Sequence, residues 1–276
     1  MTQRVAVVTG ANKGIGFSIV KQLCKQFDGI VYLTARDIIR GYNAIRKLKQ
    51  QGLNPNFHKL DITDDDSIST FHDYLKEMYD RLDILINNAG IAFKESATEP
   101  FSIQAEETLR VNYFALRKVC KKLYPLLKPH ARVVHVSSSS GRLKSISNES
   151  LRKKFLDPNL TEEELDNILH GFVNAAKENR HLEEGWPNSA YIISKIGVSA
   201  LAGIHQRMFD SDPREDLVVN SVHPGFVNTD MTGHKGILSP DQGAEAPVYG
   251  ALLPKNTDIR GKYVWYDKAL VIWAKT

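Results

Sequence analysis

The sequence predicts an α/β fold: a doubly wound, seven-stranded parallel sheet with helices on both faces. Three observations lead there. Short, uninterrupted apolar and β-branched runs alternate with longer segments of helical periodicity. The first run passes straight into a glycine-rich turn that opens the first helical stripe. No repeat, low-complexity tract or linker divides the 276 residues, so they read as one domain, 1–276, with a helical insertion at 142–187.

Val5 to Val8 is the first strand, apolar throughout as befits a strand buried on both faces. Thr9-Gly-Ala-Asn-Lys-Gly-Ile-Gly16 follows, and Ile15, Ile19, Val20, Leu23 and Cys24 then form a helical stripe. Gly10 suits a tight turn, Gly14 the close approach of a pyrophosphate, and Gly16 helix–strand packing. Asn12, Lys13 and Ile15 complete a cofactor-binding loop. The helix N-terminus behind it offers free N–H groups to phosphate. This is the Rossmann-type arrangement, and an ordinary βα turn is the alternative. Strand and helix then alternate: Ile30–Leu33 and 38–51, Phe57–Leu60 and 65–79, Ile84–Ile86 and a helical region at 104–127. Strand five spans 132–136. A long helix occupies 190–209, strand six 217–222, a further helix 240–252, and strand seven 261–266. Repeated βα units of this kind wind right-handedly into one parallel sheet.

Strand two ends in Thr34-Ala-Arg-Asp37. An acid near here serves the adenosine ribose of NAD, whereas an arginine accommodates the 2′-phosphate of NADP. Arg36 together with Lys13 favours NADP(H), and Asp37, one position on, should point away from the ribose.

Tyr191 and Lys195 stand four positions apart, which on a helix makes them neighbours on one face. A free phenol has a pKa of ~10, too high to exchange protons readily at neutral pH. A lysine charge ~4 Å away, at an effective dielectric of ~20, interacts by up to ~4 kcal/mol and should lower that value. The phenol would then exchange a proton with a carbonyl or alcohol oxygen. The serine run Ser137 to Ser140, just past strand five, supplies candidate partners. Any of the four serves on this reading alone.

Composition excludes several classes. Apolar residues make up 42% and charged residues 25%, and the net charge of +4 is mild and dispersed, unlike a nucleic-acid binder. No Cys/His group has zinc spacing, so no metal is expected. The two cysteines, Cys24 and Cys120, fall in apolar helical patterns; they read as inert thiols of a reducing, cytoplasmic setting. The start of the chain runs directly into a strand without room for a signal peptide, and no apolar run approaches the ~18 residues of a membrane span.

These motifs, from Thr9 to about Met231, resemble the short-chain dehydrogenase/reductases. The matching residues are Thr9-Gly10-x3-Gly14-x-Gly16, Asp61, Asn87-Asn-Ala-Gly90, Asn112, Ser138, Tyr191-x3-Lys195, Pro224-Gly225 and Thr229. More narrowly, Leu33 to Asp37, Asn87 to Lys94, Glu184 to Pro187 and Lys195 to Val198 resemble the monomeric cytosolic carbonyl reductases. The resemblance implies that Asp61 and Ile62 border the adenine and Asn88 the ribose region. It implies that Asn112 bends its helix and holds a water linked to Lys195. Ser138 would bind the substrate carbonyl oxygen, Tyr191 would protonate it, and Lys195 would also bind the nicotinamide ribose. Pro224, Val227, Asn228 and Thr229 would hold the nicotinamide end.

The activity so implied is NADPH-dependent reduction of small aldehydes, ketones or quinones, with transfer of the pro-S hydride. An NADP-binding redox sensor without turnover and an NAD-dependent alcohol or hydroxysteroid dehydrogenase are the alternatives. Phe93, Lys94, Glu95 and Gln104 fall where such reductases hold a glutathione moiety, and Phe93, Gln104 and Phe226 are substrate-side candidates. The chain departs from the carbonyl-reductase pattern at His223, where cysteine is frequent, at Phe226 in place of tryptophan, and at the polar Ser139-Ser140-Gly141 turn. His223 is either a second proton donor or a hydrogen-bonded strand-end histidine.

Ser138 and Tyr191 are separated by 53 positions, far more than is typical of the broader family. Thr161 and Glu164 form a capping box within this stretch. Leu165, Ile168, Leu169, Phe172, Val173 and Ala176 then line one helical face, which must be buried. Buried within the chain, it covers the surface other members give to a partner and yields a monomer. Buried between chains, it is a dimer interface.

Overall fold

The computed structural model describes residues 3–94 and 96–276. Its elements run β1 (Val5–Val8), α1 (Gly14–Gln26), β2 (Ile30–Ala35), α2 (Ile38–Lys49), β3 (Asn56–Lys59), α3 (Asp65–Met78) and β4 (Leu82–Asn87). Then come α4 (Phe101–Leu109), a π-helical turn at Arg110–Ala115, α5 (Leu116–Leu123), β5 (Leu127–Val136), α6 (Glu149–Phe155) and α7 (Glu162–Lys177). The chain closes with α8 (Ala190–Asp210), β6 (Val218–Val222), α9 (Pro240–Ala251), β7 (Tyr263–Val264) and β8 (Leu270–Val271).

One sheet holds the strands in the order β3-β2-β1-β4-β5-β6-β7-β8. The seven expected strands are parallel, and β8 adds an antiparallel edge beside β7. Two residues of strand carry too little pattern to be read from sequence. The order reverses between β1 and β4, and the crevice at their carboxyl ends is where open α/β sheets take ligands.

Alternation along the strands builds two core layers. Val5, Val7, Leu85 and Val133 face α3, α5, α7 and α8, while Ala6, Val8, Ile84 and Val134 face α1, α2 and α9. Local chemistry sets the helix ends. Asp37 caps α2, its carboxylate accepting the Arg40 N–H at 2.9 Å, and Asp64 caps α3.

The helix expected at 104–127 is broken three ways. It begins earlier, at Phe101; it widens into the π-turn around Asn112; and it ends at Leu123, before Pro125. Pro125 lacks an N–H and its ring would clash with the preceding turn. The chain enters β5 by Leu127, five residues before the expected start.

The insertion is helical as expected. Thr161 and Glu164 form the capping box on α7. Leu165, Leu169, Phe172, Val173 and Ala176 are buried, and Ile168 packs against the same core. Their cover comes from this chain. Phe172 lies 5.4 Å from Trp186, and a Cβ placed on Gly197 of α8 would come within 2.8 Å of Leu169 Cδ1. Gly197 therefore lets α7 and α8 cross closely.

Candidate active site

Gly10 and Gly14 both have positive φ, +61° and +58°, a region where a side chain is strained. The turn is tied on both sides. The Ala11 N–H donates to Thr34 O at 2.9 Å, and Asn88 Nδ2 donates to Thr9 O and Gly10 O at 3.0 and 3.1 Å. Asn12, Ile15 and Gly16 complete the turn, which delivers the free N-terminus of α1 to the crevice.

Arg36 projects from the end of β2 and is exposed. Among the described residues it makes no hydrogen bond or ion pair, while neighbouring Asp37 is committed to its cap. Lys13 differs: its ammonium pairs with Asp230 at 2.5 Å, clasping the glycine turn to the segment after Thr229. Asp61 follows β3, beside half-exposed Thr63 and buried Ile62. Burial pushes its carboxyl up, but the Thr63 amide and hydroxyl, with the charges of Arg36 and Arg110, hold it below the usual range.

On the other side of the crevice, α8 presents Tyr191 and Lys195 on one face. Lys195 is buried, its ammonium 2.7 Å from Val136 O and 5.6 Å from the centre of the Tyr191 ring. Burial lowers its pKa to about 8. The Tyr191 phenol is not lowered, contrary to the expectation from spacing. Burial raises it, and only the influence of the Ser138 hydroxyl works the other way. The ammonium is aimed at a carbonyl instead of the phenol, so proximity alone confers no depression.

The four serines separate by their partners. Ser137 is buried, bonded to Ser199 Oγ at 2.7 Å and Lys195 O at 3.1 Å. Ser138 Oγ accepts the Ser140 N–H at 3.1 Å, and this hydroxyl works to lower the Tyr191 phenol. The Ser139 backbone holds Arg142 and His223, and Ser140 is exposed. Of the four, Ser138 is the one whose hydroxyl acts on the phenol. Gly141 ends the turn against α8, where a Cβ would come 2.8 Å from the Lys195 carbonyl carbon.

Asn112 sits inside the π-turn, a distortion that is frequent at functional sites. Its Oδ1 accepts the Ile91 N–H at 2.7 Å, and its Nδ2 donates to Ile91 O at 2.9 Å and Ser194 Oγ at 3.0 Å. A Cβ on Gly90 would touch Asn112 Oδ1 at 3.1 Å and Lys195 Nζ at 3.8 Å, so these groups share one small space. Ser194, which also bonds Tyr191 O at 2.8 Å, was not singled out from sequence. Its place three residues after Tyr191, on the same helix face, was the available signal.

Pro224 is buried after β6, Val227 pairs with Leu238, and Asn228 and Thr229 lead into the clasp at Asp230. Phe226 is 51% exposed, Met231 and Ile237 just after it are exposed too, and so is Tyr266 beyond β7. Phe93 is half-buried. Gln104 donates to Glu99 O at 2.9 Å, Lys94 is exposed, and Glu95 lies outside the described residues. A separate buried network lies under the sheet. Asn87 donates to His135 at 3.1 Å, His135 reaches His205 at 3.1 Å, and His205 donates to Glu162 at 2.8 Å.

A glycine turn on a helix N-terminus, facing a serine–tyrosine–lysine cluster across a parallel sheet, defines a dinucleotide-dependent oxidoreductase. The chain belongs to the short chain dehydrogenase family, whose model matches residues 4–150. It is 50% identical to the NADPH carbonyl reductase 1 of Rattus norvegicus over 273 residues, covering 98% of each. It is also 50% identical to that of Homo sapiens over 257 residues, 92% of each. Among solved structures it resembles salutaridine reductase from Papaver somniferum, with a TM-score of 0.85, 35% identity, and 96% of this chain and 100% of that one covered. The NADPH-bound carbonyl reductase from chicken fatty liver shares the fold, with a TM-score of 0.69 at 22% identity, covering 99% and 100%. Among the described residues no helix is long and apolar enough to cross a membrane.

Proposed function

We infer that this chain is an NADPH-dependent carbonyl reductase acting on small aldehydes, ketones or quinones. The observation that carries this is the Tyr191 phenol set over buried Lys195 and within the influence of the Ser138 hydroxyl, with burial keeping the phenol protonated. A protonated phenol is the form that reduction consumes, whereas alcohol oxidation needs it as a base. The residues present fit the cofactor. The strained glycine turn brings backbone N–H groups to a pyrophosphate, and Arg36, uncommitted at the end of β2, fits a 2′-phosphate. Asp61 and Ile62 would border the adenine, Asn88 the ribose region, and Pro224, Val227, Asn228 and Thr229 the nicotinamide end. When bound, NADPH supplies hydride to the carbonyl carbon.

The protein supplies the rest. Ser138 and Tyr191 aim two hydroxyl groups at one carbonyl oxygen and stabilise its developing charge. Tyr191 gives that oxygen its proton. Lys195 holds positive charge beneath the ring, and Asn112 keeps Ile91 and Ser194 in place around it. The exposed apolar side chains of Phe226 and Tyr266 suit an apolar substrate body. Extension to glutathione adducts would use Phe93 and Lys94.

We read the protein as a cytoplasmic monomer. The inserted α7 already packs on α8 within the chain, and both cysteines are free, with thiols pushed up by burial to about 11 and 12. NADPH oxidation dependent on added menadione tests the activity. A protein that binds NADPH but turns over no carbonyl would be a sensor instead.

A further inference from the structure

His223 directly follows β6 and stands between the two turns that frame the site. Its Nδ1 accepts the Ser139 N–H at 3.1 Å and the Gly225 N–H at 3.4 Å. Ser139 adjoins Ser138, and Gly225 opens the segment that runs to Thr229. One ring nitrogen therefore joins the substrate-side turn to the nicotinamide-side turn. Because Nδ1 accepts, a neutral ring must carry its hydrogen on Nε2.

The ring is neutral at working pH. Burial first, then the charge of Arg142, pushes the imidazole down to about 4 against an opposing pull from Asp267. That removes the second-proton-donor role, since there is no imidazolium to donate. What remains is a neutral N–H, which still polarises an oxygen by hydrogen bonding. Among the described residues nothing bonds Nε2, and it is not among the buried polar atoms left without partners, so it opens onto accessible space. Edge-on packing against Trp265 and Tyr266, with centroids at 5.3 and 6.1 Å, sets the ring plane.

We propose that the two nitrogens of His223 have separate tasks. Nδ1 positions the Ser138 turn against the nicotinamide-side segment, and Nε2–H donates to a second hydrogen-bond acceptor beside the carbonyl being reduced. His223 is thus a positioning and specificity residue, and this rests on the carbonyl-reductase reading. The tasks separate by side-chain length. An asparagine amide oxygen stands near the place of Nδ1, and a glutamine amide nitrogen near that of Nε2.

The test compares benzaldehyde with picolinaldehyde, which has the same shape and adds one ring acceptor next to the aldehyde. kcat and KM are measured with saturating NADPH for wild type, His223→Asn and His223→Gln, and thermal melting reports folding. His223→Asn should leave benzaldehyde within about threefold and raise KM for picolinaldehyde about tenfold, the worth of one hydrogen bond. His223→Gln should keep the wild-type ratio between the aldehydes while kcat falls for both. Equal effects of His223→Asn on the two aldehydes, or none on either, overturn the specificity role. An unchanged kcat in a folded His223→Gln overturns the positioning role. If wild type reduces neither aldehyde nor menadione, the carbonyl-reductase reading itself fails.

Discussion

Lys195 lies 5.6 Å from the centre of the Tyr191 ring and donates to Val136 O, while the phenol answers to burial and to the Ser138 hydroxyl. The ammonium and the phenol are stacked but have different partners. That division assigns proton donation to Tyr191 and fixed charge to Lys195. It also leads to the predictions that follow.

Tyr191→Phe removes the donor and nothing else in the cofactor cleft. NADPH affinity, read by fluorescence titration, should be retained, while kcat falls roughly 10²–10⁴-fold, the usual worth of general acid catalysis. Near wild-type turnover would rule out Tyr191 as the acid.

The charge on Lys195 should govern the alkaline limb. Its folded pKa of about 8 lies below the ordinary 10.5, so the charge is present below about 8 and lost above it. kcat for carbonyl reduction should fall as pH rises through about 8, and Lys195→Arg should move that limb upward while lowering the rate. The stability sign is opposite. The unfolded chain holds the extra proton between about 8 and 10.5, so burying the charge opposes folding below about 8 and that opposition fades toward 10.5. A flat rate profile from pH 7 to 10 would contradict the assignment.

Arg36→Ala should raise KM for NADPH and leave NADH little changed. A charge-assisted phosphate contact contributes ~1.5–3 kcal/mol, so the preference should drop roughly ten- to a hundredfold. Equal weakening of both cofactors would mean that Arg36 does not read the 2′-phosphate.

The His135–His205–Glu162 chain should make the fold acid-sensitive. Burial lowers both imidazoles from the ordinary 6.5, and the hydrogen bond from His205 lowers Glu162 from 4.5. Each folded pKa is depressed, so this stability is present above the ordinary value and lost as pH falls: from about 6.5 for the histidines, then below about 4.5 for Glu162. His135→Asn keeps an acceptor for Asn87 and removes one titrating ring. Urea melts from pH 7.5 to 5 should show a shallower loss in that variant; an unchanged slope would exclude His135.

If α7 replaces a partner subunit, sedimentation equilibrium at micromolar concentration should give a single species near 31.0 kDa. A dimer or tetramer would mean that α7 does not take the place of a partner subunit.

Much of this protein was legible in its sequence because the signals are local. A buried strand shows as Val5 to Val8, the glycine turn as Gly10 to Gly16, and a helix start as Thr161 with Glu164. The four-residue spacing put Tyr191 and Lys195 on one face of α8. Tertiary structure decided the rest, where a group's partner lies far along the chain. Ser138 was separated from its neighbours because Ser137 is held by Ser199 and Lys195, some sixty residues away. Asn112 became part of a π-turn because its amide bonds Ile91 and Ser194 on two other segments. The Tyr191 pKa went up because burial outweighs an ammonium directed at Val136 O. Spacing fixes which side chains share a face, but the direction of a hydrogen bond and the depth of burial depend on contacts between distant parts of the chain.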